Sequence, residues 1–357
     1  MMCHSRLGQL ACLLAVALPA CNPGIPEGLI DEFRSVAGEY AATAEQRRTI
    51  TVEGRDGWLF FGPELRHVSV GRFWGDAADA VSRARDSAVA DPLPAILDFK
   101  RQLDSIGVEL LIVPVPPKSI IYPEKVSDAV EIPIPIPRVD TAHQEFYEVL
   151  RNAGVDVLDL TERFIDDRFH PEGAVFCRHD TRWSGVGCML AGQAIAAAVR
   201  GRDWYEGLTT KTFTPRWYST WITGDLYAAL EAPNVAREEL RLRGIVFAGS
   251  RPATEVAPDP KSPIVLLGDS HNLVFNAGGD MHATGAGLAD QLAFELGVPV
   301  DLVAVRGSGA TSARVNLLRR VQRDDGYWDR KRLVVWCFSS RELTEGDGWA
   351  LVPVISE

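Results

Sequence analysis

Apolar residues lie in continuous runs that alternate with segments of helical spacing. Between residues 92 and 106, for example, Leu93, Ile96, Leu97 and Leu103 fall three or four positions apart or at multiples of a turn. Runs without polar alternation are typical of strands covered on both faces, as in a parallel sheet. The predicted strands are residues 108–115, 155–160, 264–267, 300–305 and 333–338. The predicted helices are residues 92–106, 141–152, 184–201, 285–296 and 311–323. The pattern therefore predicts an α/β fold with a five-stranded, mainly parallel sheet.

Two parts of the chain depart from this alternation. Residues 202–260 interrupt it and contain Trp204, Trp217 and Trp221, and we predict that they are an insertion rather than a second domain. Trp217 and Trp221 are candidates for stacking on a sugar ring, because an aromatic side chain offers a large flat apolar face. Residues 116–137 are rich in proline, which fixes φ and lacks a backbone donor, so no regular structure is predicted there.

The first 21 residues have the pattern of a secretory signal. Arg6 supplies positive charge, and the apolar run that follows is shorter than the roughly 20 residues of a membrane span. The run ends in Leu-Pro-Ala-Cys, which resembles a bacterial lipoprotein cleavage site, so Cys21 is the predicted lipidation site. An ordinary cleaved signal and an uncleaved anchor are the alternatives. Each version places the protein in the periplasm or cell envelope, with residues 22–51 as a weakly helical polar linker and residues 52–357 as the folded domain.

Net charge excludes one class of function, and the cysteines indicate structural rather than metal-binding roles. The chain has 37 Lys and Arg against 48 Asp and Glu, a net charge of −11, which excludes a nucleic-acid binder that needs a basic face. In an oxidising compartment Cys177 and Cys188 would form a disulfide, and the alternative is two small buried thiols. Cys337 lies in an apolar run and is predicted to be a core residue. No Cys and His spacing is typical of a zinc site.

Candidate chemistry falls where predicted strands end. In open α/β sheets, ligands bind beyond the carboxyl ends of the strands. The strand at 264–267 runs into Gly268-Asp269-Ser270, which places Ser270 on a tight turn, the position of an activated serine. The strand at 300–305 runs into Arg306-Gly307-Ser308-Gly309, where Gly307 and Gly309 offer backbone N–H groups to an oxyanion. The segment His179-Asp180-Thr181-Arg182-Trp183 precedes a predicted helix.

Several motifs together resemble the SGNH-hydrolase-like proteins of the alginate O-acetyltransferase family, the AlgX/AlgJ type. They are spread over residues 50–345 in the order typical of that family. They are Gly54-Arg55-Asp56-Gly57-Trp58-Leu59-Phe60, Leu111 to Lys118 with Ile121-Tyr122-Pro123, Asp180-Thr181-Arg182-Trp183, Gly224-Asp225-Leu226, Gly268-Asp269-Ser270, and Val335-Trp336 leading to Arg341-Glu342-Leu343.

This resemblance implies an SGNH-hydrolase-like, flavodoxin-like three-layer fold and a periplasmic O-acetyltransferase acting on an exopolysaccharide. By position, Ser270 is the nucleophile that carries the acetyl group and Asp180 is the acid that orients the base. The N–H groups of Ser270, Gly307 and Gly309 are expected to hold the oxyanion. No metal or organic cofactor is implied. A membrane-bound partner is expected to pass on the acetyl group, because acetyl-CoA is not available outside the cytoplasm.

One residue departs from the family pattern. The family has Asp-Thr-His-Trp where this chain has Arg182 in place of the histidine, and a guanidinium cannot accept the serine proton. Three alternatives stay open. His179 replaces the missing base, although in an extended segment it would point away from Asp180. Another histidine, His271, His170 or His282, takes the role. Or no base remains.

The departure leaves three functions open. They are acetyl transfer, binding of a polysaccharide without catalysis, and an acetyl-esterase that uses water as the acceptor. Four basic residues would gather at the same edge of the sheet and form a basic cleft suited to an anionic sugar. They are Lys118, Arg182, Arg306 and Arg341, of which Arg341 can hold a carboxylate through two hydrogen bonds.

Overall fold

The computed structural model describes residues 25–230 and 236–355. The predicted signal of residues 1–21, with Cys21, lies outside the described residues. The strands are β1 Thr51–Glu53, β2 Leu59–Phe61, β3 Glu109–Val115, β4 Asp156–Val157, β5 Phe169–His170, β6 Gly173–Ala174, β7 Phe213–Ile222, β8 Glu238–Phe247, β9 Ile264–Gly268, β10 Asp301–Ala304 and β11 Leu333–Ser339. The α-helices are α1 Leu29–Arg47, α2 Gly62–Ser69, α3 Ala78–Val81, α4 Pro92–Ser105, α5 Lys118–Ile121, α6 Pro123–Val126, α7 Thr141–Asn152, α8 Thr161–Asp166, α9 Gly185–Arg200, α10 Asp225–Ala228, α11 Leu288–Leu296, α12 Thr311–Val321 and α13 Glu342–Glu345.

The central sheet has five strands in the order β10-β9-β11-β3-β4, and every pairing is parallel. β11 lies in the middle, where Val335 pairs with Leu111 on one side and Leu266 on the other. This confirms the predicted five-stranded parallel sheet. The central strands are buried along nearly their whole length, which is why their sequences contain no polar alternation.

Successive residues of the central strands contribute to two separate hydrophobic clusters. In β11, Val335 belongs to the cluster that contains α1, α9 and α11, whereas Trp336 belongs to the cluster that contains α4, α7 and α12. Helices therefore cover both faces of the sheet, which gives the three-layer SGNH-hydrolase-like arrangement. Helix starts follow local chemistry: the Ser184 hydroxyl accepts the N–H groups of Val186 and Gly187 at the start of α9.

Two segments differ from the sequence prediction. Residues 22–51 were predicted to be a linker, but most of this segment forms the long helix α1, which buries Leu29, Phe33 and Ala37 in the core. The proline-rich stretch contains two short helices, α5 and α6, the second of which begins with Pro123 at a position where no N–H is needed. Among the helices of the described residues, none is long and apolar enough to cross a membrane.

The segment 202–260 contains a two-stranded antiparallel ribbon formed by β7 and β8. The ribbon packs through β8, where the Arg243 guanidinium donates to Gln291 of α11 at 2.7 Å. Of the two alternatives left open for Cys177 and Cys188, the structure has the second: both thiols are free and buried, and burial raises their pKa values. Cys337 is buried in β11, as predicted for a core residue.

Candidate active site

Ser270 begins a short 3-10 turn directly after β9 at the carboxyl edge of the sheet. Gly268 has a φ of +156°, and a Cβ there would lie 1.7 Å from the Cys337 carbonyl oxygen, so only glycine fits this close approach to β11. The Asp269 carboxylate accepts the Ser339 N–H at 2.6 Å, and the Asn272 amide donates to the Cys337 carbonyl at 2.8 Å. The serine turn is therefore fastened to the middle strand of the sheet.

The segment that carries Asp180 and Arg182 lies against this turn. The indole N–H of Trp183 donates to the His271 carbonyl at 2.9 Å, and the Trp183 side chain is completely buried. From the other side, the Lys118 ammonium donates to the Asp180 carbonyl at 2.6 Å. These contacts position the backbone of the segment, so that two of its side chains project toward Ser270.

A second turn, at Gly224 and Asp225, closes over the same segment. Gly224 has a φ of +78°, and a Cβ there would lie 2.2 Å from the His179 carbonyl oxygen. Asp225 accepts hydrogen bonds from the Thr181 N–H at 2.8 Å and from the Thr181 hydroxyl at 2.7 Å. Glycine is needed at 224 because the backbones come into contact, and this contact brings the Asp225 carboxylate to Arg182.

Four side chains then form a continuous hydrogen-bonded series. Arg182 Nε donates to Ser270 Oγ at 2.9 Å, and Arg182 Nη1 binds Asp180 Oδ1 at 3.0 Å. The other oxygen of Asp180 binds His282 Nε2 at 2.8 Å. Arg182 Nη1 also lies 3.3 Å from Asp225 Oδ2. Arg182 thus lies between Ser270 and Asp180, where a catalytic triad would have its imidazole.

The charges of this series are fixed by their mutual contacts. Burial alone would raise the pKa of Asp180, but the hydrogen bond from His282 and the charge of Arg182 outweigh it, and the pKa falls below its ordinary value. Burial would likewise lower the pKa of Arg182, whereas the carboxylates of Asp180 and Asp225 raise it. Asp180 is therefore an anion and Arg182 a cation at any physiological pH.

The structure separates the candidate histidines. His179 does not approach Ser270: its ring packs on Tyr227 with centroids 5.1 Å apart, and its Nδ1 is buried without a partner among the described residues. His271 binds Asp269 at 3.0 Å beneath the turn. His170 Nδ1 accepts the N–H of Glu172 in the β5–β6 hairpin. Only His282, of the described histidines, shares Asp180 with Arg182.

Of the expected substrate contacts, the structure places some in the core and others at the surface. Lys118 is 1% exposed and donates to main-chain carbonyls, so it supports the site from behind and does not line a cleft. Arg306 pairs with the exposed Asp280 at 2.8 Å. Arg341 donates to the Ser339 hydroxyl at 3.0 Å and lies over the Phe61 ring. The four basic residues predicted to form a basic cleft are thus distributed over different environments.

Of the two glycines expected to bind the oxyanion, one packs against the serine turn and the other does not. A Cβ at Gly309 would lie 2.9 Å from Asp269 Cβ, so this backbone packs directly beside the serine turn. Gly307 has a φ of +106° and faces open space. Among the described residues, no cluster of three or more His, Cys, Asp or Glu side chains could hold a metal ion.

Asp225 was not singled out as a site residue from the sequence, although Gly224-Asp225-Leu226 was one of the family motifs. A glycine that must adopt a left-handed conformation next to an acid was the available signal. His282 was one of the three histidines named under the second alternative, because its loop has no apolar period that would place it in the fold. It has a φ of 72°, which is unusual for a residue with a side chain.

Comparison with known proteins agrees with this geometry. The family described as "SGNH hydrolase-like domain, acetyltransferase AlgX" matches residues 51–340, which include the sheet and every side chain of the hydrogen-bonded series. The chain belongs to this family. Membership of the AlgX family confirms the resemblance inferred from the motifs.

Individual members of the AlgX family show how far the similarity extends. The "Probable alginate O-acetylase AlgJ" of Pseudomonas aeruginosa is 24% identical over 314 residues, which cover 85% of this chain and 73% of that protein. The O-acetyltransferase domain of Pseudomonas putida AlgJ superposes with a TM-score of 0.60 at 23% identity, covering 82% of this chain and 92% of that domain. Pseudomonas aeruginosa AlgX superposes with a TM-score of 0.55 at 17% identity, covering 81% of this chain and 62% of that structure. These superpositions establish the shared fold.

Proposed function

We propose that this protein transfers acetyl groups to hydroxyls of an acidic exopolysaccharide through an acetyl-Ser270 intermediate. The observation that carries the proposal is the series that joins Ser270 to Arg182, Asp180 and His282 at the carboxyl edge of the sheet. Family membership supports acetyl transfer as the reaction. The names of the similar proteins concern alginate, a chain of uronic acids, which supports a carboxylate-bearing polymer as the acceptor.

In a catalytic triad one histidine both accepts the serine proton and stabilises the charged transition state; here we assign these two roles to His282 and Arg182. Arg182 is a permanent cation 2.9 Å from Ser270 Oγ, and it stabilises negative charge on that oxygen without accepting its proton. We assign proton acceptance to His282 because it is the imidazole, among the described residues, that Asp180 orients; the bond from Nε2 to Asp180 leaves Nδ1 as the accepting nitrogen. His282 takes the place that His179 held in the sequence-based hypothesis, because the His179 ring packs on Tyr227 instead.

The two half-reactions balance as follows. Ser270 Oγ attacks the acetyl carbonyl of the donor, its proton passes to His282, and the bond between the acetyl carbon and the donor breaks as His282 returns the proton to the leaving group. A sugar hydroxyl then attacks the acetyl carbon of acetyl-Ser270 and loses its proton to His282. The bond between the acetyl carbon and Ser270 Oγ breaks, and His282 returns the proton to Ser270 Oγ. The N–H groups of Ser270 and Gly309 are the donors proposed for the oxyanion, because Gly309 packs beside the serine turn.

The setting of the reaction is part of the same proposal. The signal pattern of residues 1–21 supports a periplasmic or cell-envelope location, with Cys21 as the lipid anchor. Acetyl-CoA is absent there, so a membrane-bound partner must present the acetyl group. Mass spectrometry of the mature protein from its host envelope tests this: a lipidated Cys21 as first residue is expected, and an intact N-terminus in the cytoplasm would contradict it.

A second candidate function is polysaccharide binding without catalysis. It is favoured by one observation, namely that Ser270 Oγ accepts its hydrogen bond from a group that cannot remove its proton. In that case Arg182 is a binding residue, and the serine is a remnant of an active site.

Acetyl release from an activated ester, 4-nitrophenyl acetate, distinguishes acetyl transfer from polysaccharide binding without catalysis. We expect release by the wild type, background rates for Ser270→Ala, and a loss of about 10²-fold or more for His282→Gln. Equal rates for wild type and Ser270→Ala would eliminate the serine mechanism. Activity that emerges only in Arg182→His would establish a decayed catalytic site and leave binding as the favoured function. Adding a uronate oligosaccharide separates transfer from an esterase, because only a transferase yields the acetylated sugar.

A further inference from the structure

The β7–β8 ribbon presents large aromatic side chains to solvent. Trp217 and Trp221, both on β7, are 37% and 57% exposed. Residues four apart on a strand point to the same face, about 13 Å from each other. Within the described residues β7 pairs with β8 alone, so its outer side is not covered by another strand. Two tryptophans exposed on one face are costly for a soluble surface, which indicates a binding role.

A polar cavity of about 720 Å³ opens beside Trp221. The Arg241 guanidinium lies over the Trp217 ring at 5.7 Å and binds Glu172 at 3.1 Å, so this rim is already ordered. Arg178 and Arg237 also line the cavity. The combination of flat aromatic faces and fixed hydrogen-bonding groups suits a sugar, whose ring offers C–H groups on its face and hydroxyls at its edge.

Three of the four carboxylates that line the cavity are engaged by other groups. Glu238 accepts the backbone N–H groups of Arg178 and His179, both at about 3 Å, and Asp56 is paired with Lys125. Glu172 is neutralised by its ion pair with an arginine. Glu239, opposite Trp221, is exposed to solvent.

Two arginines, Arg178 and Arg237, balance the charges of Glu238 and Glu239. Neither arginine has an ion pair among the described residues, and the Arg178 guanidinium lies 5.8 Å from the centre of the Trp58 ring. A guanidinium without an ion-pair partner can bind a carboxylate through paired hydrogen bonds.

The cavity borders the chain segment that carries Asp180 and Arg182. His179 lines it, and the next residue, Asp180, belongs to the hydrogen-bonded series of the site. On the other face of β7, the Tyr218 hydroxyl donates to the Thr284 carbonyl at 3.4 Å, in the loop that carries His282. The ribbon therefore links the cavity with the catalytic loop.

We propose that this surface, the ribbon groove formed by Trp217, Trp221, Arg178, Arg237 and Arg241, binds the carboxylate-bearing acceptor polysaccharide. The tryptophan rings stack on sugar faces, and Arg178 and Arg237 bind uronate carboxylates. The groove holds the polymer while a neighbouring hydroxyl reaches acetyl-Ser270. The inference rests on the proposed function for its substrate class.

Calorimetric titration with alginate oligosaccharides tests the groove directly. The protein is used as Ser270→Ala, so that no turnover disturbs the measurement. We expect Trp221→Ala to weaken binding about tenfold or more, and Arg237→Ala to weaken it and reduce its salt dependence. Trp221→Phe, which keeps a ring, should recover part of the affinity. Leu351→Ala, at a residue 63% exposed outside the ribbon, should bind as the parent does.

Two results would refute the proposal that the ribbon groove binds the acceptor polysaccharide. One is binding by Trp221→Ala within a factor of about two of the parent, with an unchanged melting temperature. The other is equal affinity for neutral dextran oligosaccharides, which would remove the role of the arginines. Release of acetyl from 4-nitrophenyl acetate by Trp221→Ala should equal the wild-type rate. If Trp221→Ala loses oligosaccharide binding but cleaves the ester normally, the result supports binding in the ribbon groove. If binding depends on Trp221 but the wild type cleaves no ester, the acetyl-Ser270 mechanism is refuted and the groove is not.

Discussion

Replacing Asp180 with asparagine tests how strongly the carboxylate organises the site. Each oxygen of Asp180 accepts a backbone N–H: Oδ1 from Arg182 at 3.0 Å and Oδ2 from Asp225 at 3.1 Å. Asparagine has only one oxygen. Whichever way its amide turns, the NH₂ group faces one of these backbone donors, and a buried N–H loses its acceptor. The substitution also removes the negative charge beside Arg182 and His282.

The expected cost follows from these contacts. A buried donor left without an acceptor costs about 1–3 kcal/mol, and removing one partner of a buried ion pair costs about 3–5 kcal/mol. The two costs overlap because they concern the same side chain, and Asp225 still neutralises part of the Arg182 charge. We therefore expect the free energy of unfolding to fall by about 3 kcal/mol, a large share of the total stability of a typical domain.

Urea denaturation followed by circular dichroism measures this change. The transition midpoint should fall while its slope stays constant, because the surface exposed on unfolding is the same. Asp56→Asn is the matched control, since its partner Lys125 is also at the surface and no measurable change is expected. A loss below about 1 kcal/mol for Asp180→Asn would show that the carboxylate does not hold the site together.

Three further outcomes follow from other parts of the molecule. The Nε2 atoms of His67 and His143 lie 2.7 Å apart, and burial lowers the pKa values of both rings. As the pH drops, these histidines therefore take up protons in the unfolded chain before they do so in the folded protein. The free energy of unfolding should fall below about pH 6.5, by up to about 1.4 kcal/mol per pH unit for each histidine. Gly224→Ala should lower the melting temperature and the acetyl-release rate, because its Cβ would collide with the His179 carbonyl. Phe33→Ala should cost about 3–5 kcal/mol in urea denaturation, as for a core residue.

Each of these measurements has a control in the chain. His143→Gln should make the dependence of stability on pH shallower, and an unchanged slope would contradict the assignment. Gly207→Ala should be harmless, because a Cβ there meets no atom within 4 Å. Glu39→Ala, at an exposed position of α1, should leave the urea midpoint unchanged, whereas a harmless Phe33→Ala would mean that α1 is not part of the core.

The strands of the sheet were predictable because each one is a short continuous run of apolar residues in the sequence. Strands covered on both faces need apolar residues at every position, so the runs that become β3, β9 and β11 are visible in the sequence. The helix α1 was predicted as a linker because much of its buried face consists of alanines, such as Ala37 and Ala41. Small side chains fit a close helix contact but give a weak apolar period.

The site was predictable only in part for the same physical reason. Ser270 and Asp180 were identified because each belongs to a short motif next to a regular element. The partner imidazole could not be selected among the candidate histidines, because the contact between His282 and Asp180 joins residues 102 positions apart and depends on the folded loop. Lys118 was expected in a cleft because it is charged, yet carbonyl oxygens in the core satisfy it.

The position of β11 affects when the candidate site can form during synthesis. Among the strands of the described residues β11 is made last, and it joins the β9–β10 pair to the β3–β4 pair. Until residues 333–339 are available, the chain has two half-sheets with unpaired apolar edges, which are prone to associate with other chains. The Ser270 turn is held by the Ser339 N–H and the Cys337 carbonyl, so a nascent chain lacking β11 has no ordered Ser270 turn. Addition of β11 to the sheet and ordering of the Ser270 turn are therefore one event.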